Sequence, residues 1–344
     1  MSKTRGSICM RARQDVVADV SIAGLGACLP EQLSTADAIA AGRCSEADVR
    51  RTGITSVCIA ANTDGPALAV RAARQAIDDA EIAAQDIDLL LYVRNHDEGQ
   101  LLWPVGSFVQ NEIGAHRAKS VEVRQMSNGG LAAIGLALPH VQSGKTVLVV
   151  TADTFPAPQF NRWSSDPGTV YADGAAAVVL RPGSGGRGSI LSLAETAAPE
   201  LELMSRPQRD QPDRWPLDLR SPTQRGTETI GLGRVVETLE SRQADALERA
   251  LEGAGTASSD ISLFILPNLG KARLSAQIVG PSELEWDNTL WSWGRTVGHL
   301  GAGDQIAGLH HAIAGGRVAP GDTVCALGVG GGFSWSVMVV QIGN

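Results

Sequence analysis

Ser127, His299 and Asp304 are the residues of this chain whose types fit one chemistry together, nucleophilic catalysis by an activated serine. Ser127 lies in VRQMSNGGLAAIGLALPHVQSG. A β-branched stretch (AKSVEVRQM) precedes it, and Leu131, Ile134, Leu138 and Val141 follow at helical spacing. A side chain pinned between a strand and a helix meets the positive end of the helix dipole. That place suits a nucleophile and equally an ordinary N-cap serine, and the local sequence alone favours the cap. A hydroxyl needs a base before it can attack a carbonyl, and VGHLGAGDQIAGLHHAI holds His299 with Asp304 five residues on. The aspartate would hold the histidine in its productive tautomer. The alternative is a satisfied core histidine beside an N-cap aspartate.

These residues are far apart in sequence, so the elements around them must bring them together. An internal repeat supplies the means. ALAVRAARQAIDDAEIAAQDIDLLLYV reads as an amphipathic helix, an Asp-Ile pair and a buried strand, and VVETLESRQADALERALEGAGTASSDISLFIL repeats that plan. Asp260 follows Asp86 by 174 residues, and Gly321 follows Gly144 by 177. Similar offsets at two anchors indicate two related halves. The same offset carries Ser127 to positions 301–304, a second Gly-rich entry into a helix. A pseudo-twofold axis would therefore bring the two helix mouths together. Buried runs at Leu89–Val93, Val147–Val150, Ala176–Leu180, Leu263–Leu266, Val324–Leu327 and Val337–Val340 alternate with helices, which predicts α/β sheets covered on both faces.

Composition narrows the class further. With 344 residues and 43% hydrophobic content the chain can build a large core without a disulfide or metal. Its five cysteines are scattered and show no CxxC spacing, which predicts reduced thiols in a cytoplasmic protein. A net charge of −8 argues against a nucleic-acid partner, and no apolar run has the length of a membrane span. No metal-ligand set is read. Residues 1–18 read as a disordered leader, 19–185 as the half carrying the nucleophile, and 186–344 as the half carrying the base. Between the halves, PELELMSRPQRDQPDRWPLDLRSPTQRGTE is read either as a surface loop or as a cap over the site.

Spaced motifs in order carry a family resemblance. IAGLGACLPEQLSTADAI, RRTGI, VYADGAAAVVL and LGVGGGFSWSVMVVQI together resemble the β-ketoacyl-ACP synthase III (thiolase-fold) family over nearly the whole chain after the leader. The resemblance implies a five-layered αβαβα subunit working as a homodimer. It also places a cysteine where QMSNGG has Ser127, a histidine where PNLGK has Asn268, and an asparagine where GHLGAGD has His299. With Asp304 added, this looks like the acyltransferase branch of the family, which acts in polyketide and antibiotic pathways. The family position of Asn268 implies that it orients donor or acceptor by hydrogen bonding. The oxyanion hole is assigned by resemblance to the N–H groups of Ser127 and Gly331; a turn glycine is the alternative for the latter.

The resemblance also bears on the donor. The positions that stack CoA adenine in the family fall at Ala47 and near Pro167, which cannot stack, although Trp163 offers a substitute. Arg273 falls on the family's basic contact to acyl carrier protein, with Lys271 beside it; a solvated basic helix face is the alternative. Trp103 falls where the family's dimer inserts an aromatic into its neighbour's acyl pocket, unless it is a core tryptophan. The expected donor is thus acyl-ACP or acyl-CoA, with no other cofactor, and the acceptor a small molecule or carrier thiol. The expected reaction is acyl transfer by way of acyl-Ser127. The alternatives are carbon–carbon condensation of starter units and a non-catalytic, carrier-binding selectivity subunit.

Overall fold

The computed structural model describes residues 15–95, 102–208 and 215–343. Eleven strands are formed among them: β1 (Val20–Cys28), β2 (Gln32–Ser34), β3 (Ser56–Cys58), β4 (Leu89–Val93), β5 (Lys119–Val123), β6 (Val147–Asp153), β7 (Gly174–Pro182), β8 (Gly188–Ala197), β9 (Leu263–Ile265), β10 (Thr323–Gly330) and β11 (Ser334–Ile342). Six helices matter for the site: α1 (Gly65–Asp79), α2 (Val105–Ile113), α3 (Gly129–Gln142), α4 (Leu232–Ala254), α5 (Trp291–Val297) and α6 (Asp304–Ala314). Helix α1 shows why such segments fold locally. Asp64 accepts from the Ala67 N–H at its N-cap, Pro66 opens the first turn, and Leu68, Ala69, Ala72, Ala73 and Ala76 bury one face.

The strands run β5-β4-β6-β7-β1-β8-β11-β10-β9, with β2 and β3 forming a separate pair. The ladder is continuous, but only Ser21↔Ser189 and Ile22↔Gly188 join β1 to β8. Packing divides it at that seam. Alternate residues of β4 enter different cores: Leu89, Leu91 and Val93 face the middle of the molecule, while Leu90 and Tyr92 face an outer core with α1 and α2. Strand β9 does the same, sending Leu263 and Ile265 to the middle and Phe264 to a second outer core with α4. The period of two thus builds three cores between five layers. Helices α3 and α6 share the middle core.

The two halves repeat in detail. Three-ten turns at Ala84–Asp86 and Ser258–Asp260 lead into β4 and β9. The Asp88 N–H donates to Thr146 O at 2.9 Å, and the Ser262 N–H donates to Thr323 O at 2.9 Å. Short turns at Met126–Asn128 and Gly301–Gly303 open α3 and α6. A fifth strand is reduced in the second half to a single parallel bridge, Phe264↔Thr289. The boundary read at 185/186 lies in the turn between β7 and β8.

The leader reading needs correction at its end; residues 1–14 lie outside the described residues. Asp15 is buried and paired with Arg249 of α4 at 2.6 Å, and the Val17 N–H donates to Leu191 O at 2.9 Å. Strand β8 pairs with β1 only at its first residues, which leaves the edge at 191–192 open to this segment. Among the described residues no helix is long and apolar enough to cross a membrane.

Candidate active site

The two helix mouths meet as the repeat predicts. A Cβ on Gly130 would lie 2.4 Å from Ala302 O, so the Gly-Gly after Ser127 is where one mouth presses on the other. Ser127 Oγ is then 2.8 Å from His299 Nε2, and His299 Nδ1 is 2.6 Å from Asp304 Oδ2. Asp304 Oδ1 also accepts from the Leu300 N–H at 2.8 Å, and Oδ2 from the Asn268 N–H at 2.8 Å. A carboxylate ringed by N–H donors leaves His299 Nδ1 to donate. Nε2 is then the acceptor for the Ser127 hydroxyl. Neither Ser127 nor Asp304 serves as a helix N-cap. The N-cap of α3 is Asn128, without a side-chain cap bond, and Asp304 is the first residue of α6, turned back onto His299.

The backbone holds His299 on both sides. Its N–H donates to Val170 O at 2.9 Å, and its carbonyl accepts from the Ala172 N–H at 2.8 Å. The Tyr171 ring meets its imidazole edge-on at 5.2 Å, backed by Phe155 and Phe160. His299 and Asp304 are each 1% exposed, so water is excluded from both side chains.

Asn268 departs from expectation. Its side-chain Nδ2 donates to Gly298 O at 3.0 Å, and Oδ1 occupies the space a Cβ on Gly294 would need, 2.3 Å away. Because α5 carries a glycine there, the amide settles against the helix. The Asn268 backbone N–H holds the Asp304 carboxylate.

The end of β10 lies against the nucleophile turn. A Cβ on Gly330 would fall 2.7 Å from Gln125 O and 2.8 Å from Asn128 N, so only glycine permits this approach. Gly331 is the next residue and partly exposed, and Ser205 Oγ lies 3.4 Å from its Cβ position.

Arg273 also departs from expectation. Both of its Nη atoms donate to Asp166 at 2.7 Å, and Nη1 donates to Thr169 Oγ1 at 2.8 Å. The half-buried guanidinium is paired with Asp166 and anchors the 166–169 loop. Arg51 Nε donates to Pro167 O at 2.6 Å and pins the same loop. Burial pulls the Asp166 carboxyl upward, but the Arg273 hydrogen bonds and charge outweigh this and hold it below the usual carboxylate range. A depressed carboxyl stabilises the fold above its unfolded pKa, and that contribution is lost as pH falls through the folded one. Asp166→Asn is therefore expected to lower the melting temperature at pH 7, with the gap to wild type closing below about pH 4. Melting curves across pH check this; a gap independent of pH would contradict it.

Lys271 is exposed, with Nζ 5.0 Å from the Trp286 ring centre and 5.4 Å from that of Trp291. Trp103 is half-buried against Phe108, ring centres 5.2 Å apart, at the margin of an outer core. Trp163 is buried in the middle core and cannot stack a ligand at the surface. The segment between the halves packs on a neighbouring loop: the Leu217 and Leu219 N–H groups donate to Gln159 O (2.9 Å) and Ser165 O (3.0 Å), on the loop that ends at Tyr171. Residues 209–214 of it lie outside the described residues.

This is a five-layered thiolase-fold protein with a serine, histidine and aspartate linked at the junction of its halves. A family model for 3-oxoacyl-[acyl-carrier-protein (ACP)] synthase III matches residues 121–198, and the model for the C-terminal part matches 251–342. The beta-ketoacyl-[acyl-carrier-protein] synthase III of Erythrobacter litoralis (strain HTCC2594) is 30% identical over 335 residues, spanning 93% of this chain and 98% of the relative. The solved structure of ChlB3, an acyltransferase, matches with a TM-score of 0.90 at 31% identity, covering 95% of this chain and 98% of its own. The synthase III of Pseudomonas aeruginosa PAO1 matches with a TM-score of 0.77 at 20% identity, over 95% and 99% of the chains, a likeness of fold alone. The chain belongs to the 3-oxoacyl-ACP synthase III family.

Proposed function

We propose that this chain is an acyltransferase that carries its acyl group on Ser127. The observation that carries this reading is the 2.8 Å contact of Ser127 Oγ with His299 Nε2, backed by Asp304. His299 takes the hydroxyl proton as Ser127 attacks the donor thioester. The N–H groups of Ser127 and Gly331 receive the oxyanion, the C–S bond breaks, and the thiolate takes the proton from His299. An acceptor hydroxyl, amine or carrier thiol then loses its proton to His299, attacks the ester and frees Ser127. Likeness to ChlB3, an acyltransferase, supports this direction. Decarboxylative condensation needs side-chain donors that hold an enolate, and the Asn268 amide is committed to Gly298 O. That argues against the condensing alternative. Intact-mass spectrometry with a panel of acyl thioesters tests the proposal. A Ser127-borne adduct that turns over to an acylated acceptor supports it. A product lengthened by carbon–carbon bond formation would replace it with condensation, and no adduct from any donor would leave a carrier-binding subunit.

The acyl donor in this reading is an acyl carrier protein rather than free CoA, and the pathway makes a polyketide or antibiotic. Ala47 and Pro167 cannot sandwich adenine, and buried Trp163 offers no replacement. With Arg273 paired to Asp166, Lys271 is the one of these two cations left for an acidic carrier. Lys271→Glu is expected to lower kcat/KM about tenfold for a carrier-borne acyl group while leaving the same group on CoA nearly unchanged. Equal losses on both donors would remove the carrier preference. The working form in this reading is a homodimer joined along β5, an edge strand with Val121 exposed.

A further inference from the structure

A polar chain behind the nucleophile has no part in the steps above. It starts at a strained turn. Met126, just before Ser127, has φ +49°, a left-handed conformation that strains a side-chain-bearing residue and persists only when its surroundings enforce it. The residues on either side of the Met126–Ser127 pair supply that enforcement. Gln125 Nε2 donates to Ser334 Oγ at 3.0 Å, and Asn128 Nδ2 donates to the same oxygen at 3.2 Å. Asn128 Nδ2 also donates to Ser336 Oγ at 2.9 Å, and Ser336 Oγ donates to Glu195 Oε1 at 3.1 Å. Asn128 is 1% exposed and Ser336 is fully buried. The Glu195 carboxylate lies on α3 at Gly135, with its oxygens 3.2 and 3.3 Å from the Cβ position there.

We propose that Asn128, Ser336 and Glu195 form a positioning relay that holds Ser127 in its reactive turn, so that Ser127 reactivity follows the ionisation of Glu195. The inference rests on the reading of Ser127 as the nucleophile. The direction of the bonds supports it. Asn128 can only donate through Nδ2, so Ser336 must pass its own proton onward, and a charged carboxylate is its strongest acceptor. Protonating Glu195 replaces that charge-assisted bond by a neutral one and loosens the clamp at its far end. Burial raises the Glu195 carboxyl above the usual range, against the Ser336 hydrogen bond and the Arg249 charge, which lower it. The charged groups facing it are Arg249, whose Nη1 donates to Glu195 O at 3.1 Å, and Asp15, paired to Arg249. Its recorded neighbours on helix α3 and strand β11 are Gly135 and Ser336, which do not titrate.

A fluorophosphonate reagent reads Ser127 without a known donor. Ser127 Oγ forms a bond to phosphorus, the P–F bond breaks, fluoride leaves, and the serine proton passes to His299. Phosphonylation rates from pH 4.5 to 9 would be followed by intact mass for wild type, Glu195→Gln, Ser336→Ala and Asn128→Ala. Glu195→Gln and Ser336→Ala are each expected to slow labelling about tenfold at neutral pH, the scale of one charge-assisted hydrogen bond. Both should also lose the acid-side inflection that wild type owes to Glu195. Asn128→Ala should be at least as slow, and adding Glu195→Gln to it should cost nothing more. Glu195 is exposed, so its variant tests the idea even if the buried ones fold poorly. Wild-type rates and an unchanged acid limb in Glu195→Gln would overturn the relay alone. Failure of the wild type to label at any pH would overturn the nucleophile reading, and the relay with it.

Discussion

Ser127→Ala should give a protein that folds normally, binds acyl thioesters and never gains their acyl mass. The expectation follows from the order of steps. Asp304 fixes His299, His299 faces Ser127 at 2.8 Å, and no other hydroxyl is bonded to His299 Nε2 among the described residues. Removing Oγ leaves a base with nothing to deprotonate in the first half-reaction. Transfer would then need direct attack by the acceptor, helped only by binding and the oxyanion groups. Loss of transfer by about 10⁴-fold or more is expected, with no adduct in the mass spectrum. Ser127→Cys is the informative companion. A thiol needs less help from the base, so this variant should still acylate, and it should tolerate loss of His299 better than serine does. An acyl adduct persisting in Ser127→Ala would place the nucleophile elsewhere.

Much of this arrangement was legible in the sequence because it rests on backbone periodicity. The repeat offset carries Ser127 to the second helix mouth without any knowledge of side-chain contacts, and His299 and Asp304 lie at that mouth. The number of layers was less legible. LLLYV at Leu89–Val93 is apolar on both faces, so its alternation between two cores leaves no mark in residue type. What was misread depends on partners far away in the chain. Arg273 looks free until Asp166 closes on it, and Asn268 looks aimed at substrate until the missing side chain of Gly294 lets its amide lie down. Trp163 looks available until the middle core takes it. Asp15 looks disordered until Arg249 presents it with a charge. Loop closure decides each of these, and neither composition nor spacing encodes it. The relay behind Ser127 was missed for the same reason: Asn128 and Ser336 are ordinary polar residues, separated by the seam between the halves.

The second large effect belongs to the base and its partner. His299→Ala should slow acylation about 10²–10⁴-fold, the usual scale for a general base. Asp304→Asn is the sharper test, because it keeps shape and removes only charge and acceptor capacity. The asparagine must place its NH₂ at one of two sites. At the Oδ1 site it meets the Leu300 N–H, donor against donor, in a buried place. At the Oδ2 site it meets the Asn268 N–H and also donates to His299 Nδ1. That second choice moves the histidine proton to Nε2, where it can no longer accept from Ser127. A buried donor clash is present either way, so some thermal stability should be lost. The wrong tautomer adds a loss in acylation rate of up to about 10⁴-fold, while KM stays within a few-fold because nothing that touches the thioester has changed. Because the two residues act as one unit, His299→Ala combined with Asp304→Asn should be no slower than the worse single variant. Losses that multiplied would mean that Asp304 acts on the reaction independently of His299. A wild-type acylation rate in His299→Ala would place the base outside the VGHLGAGD turn.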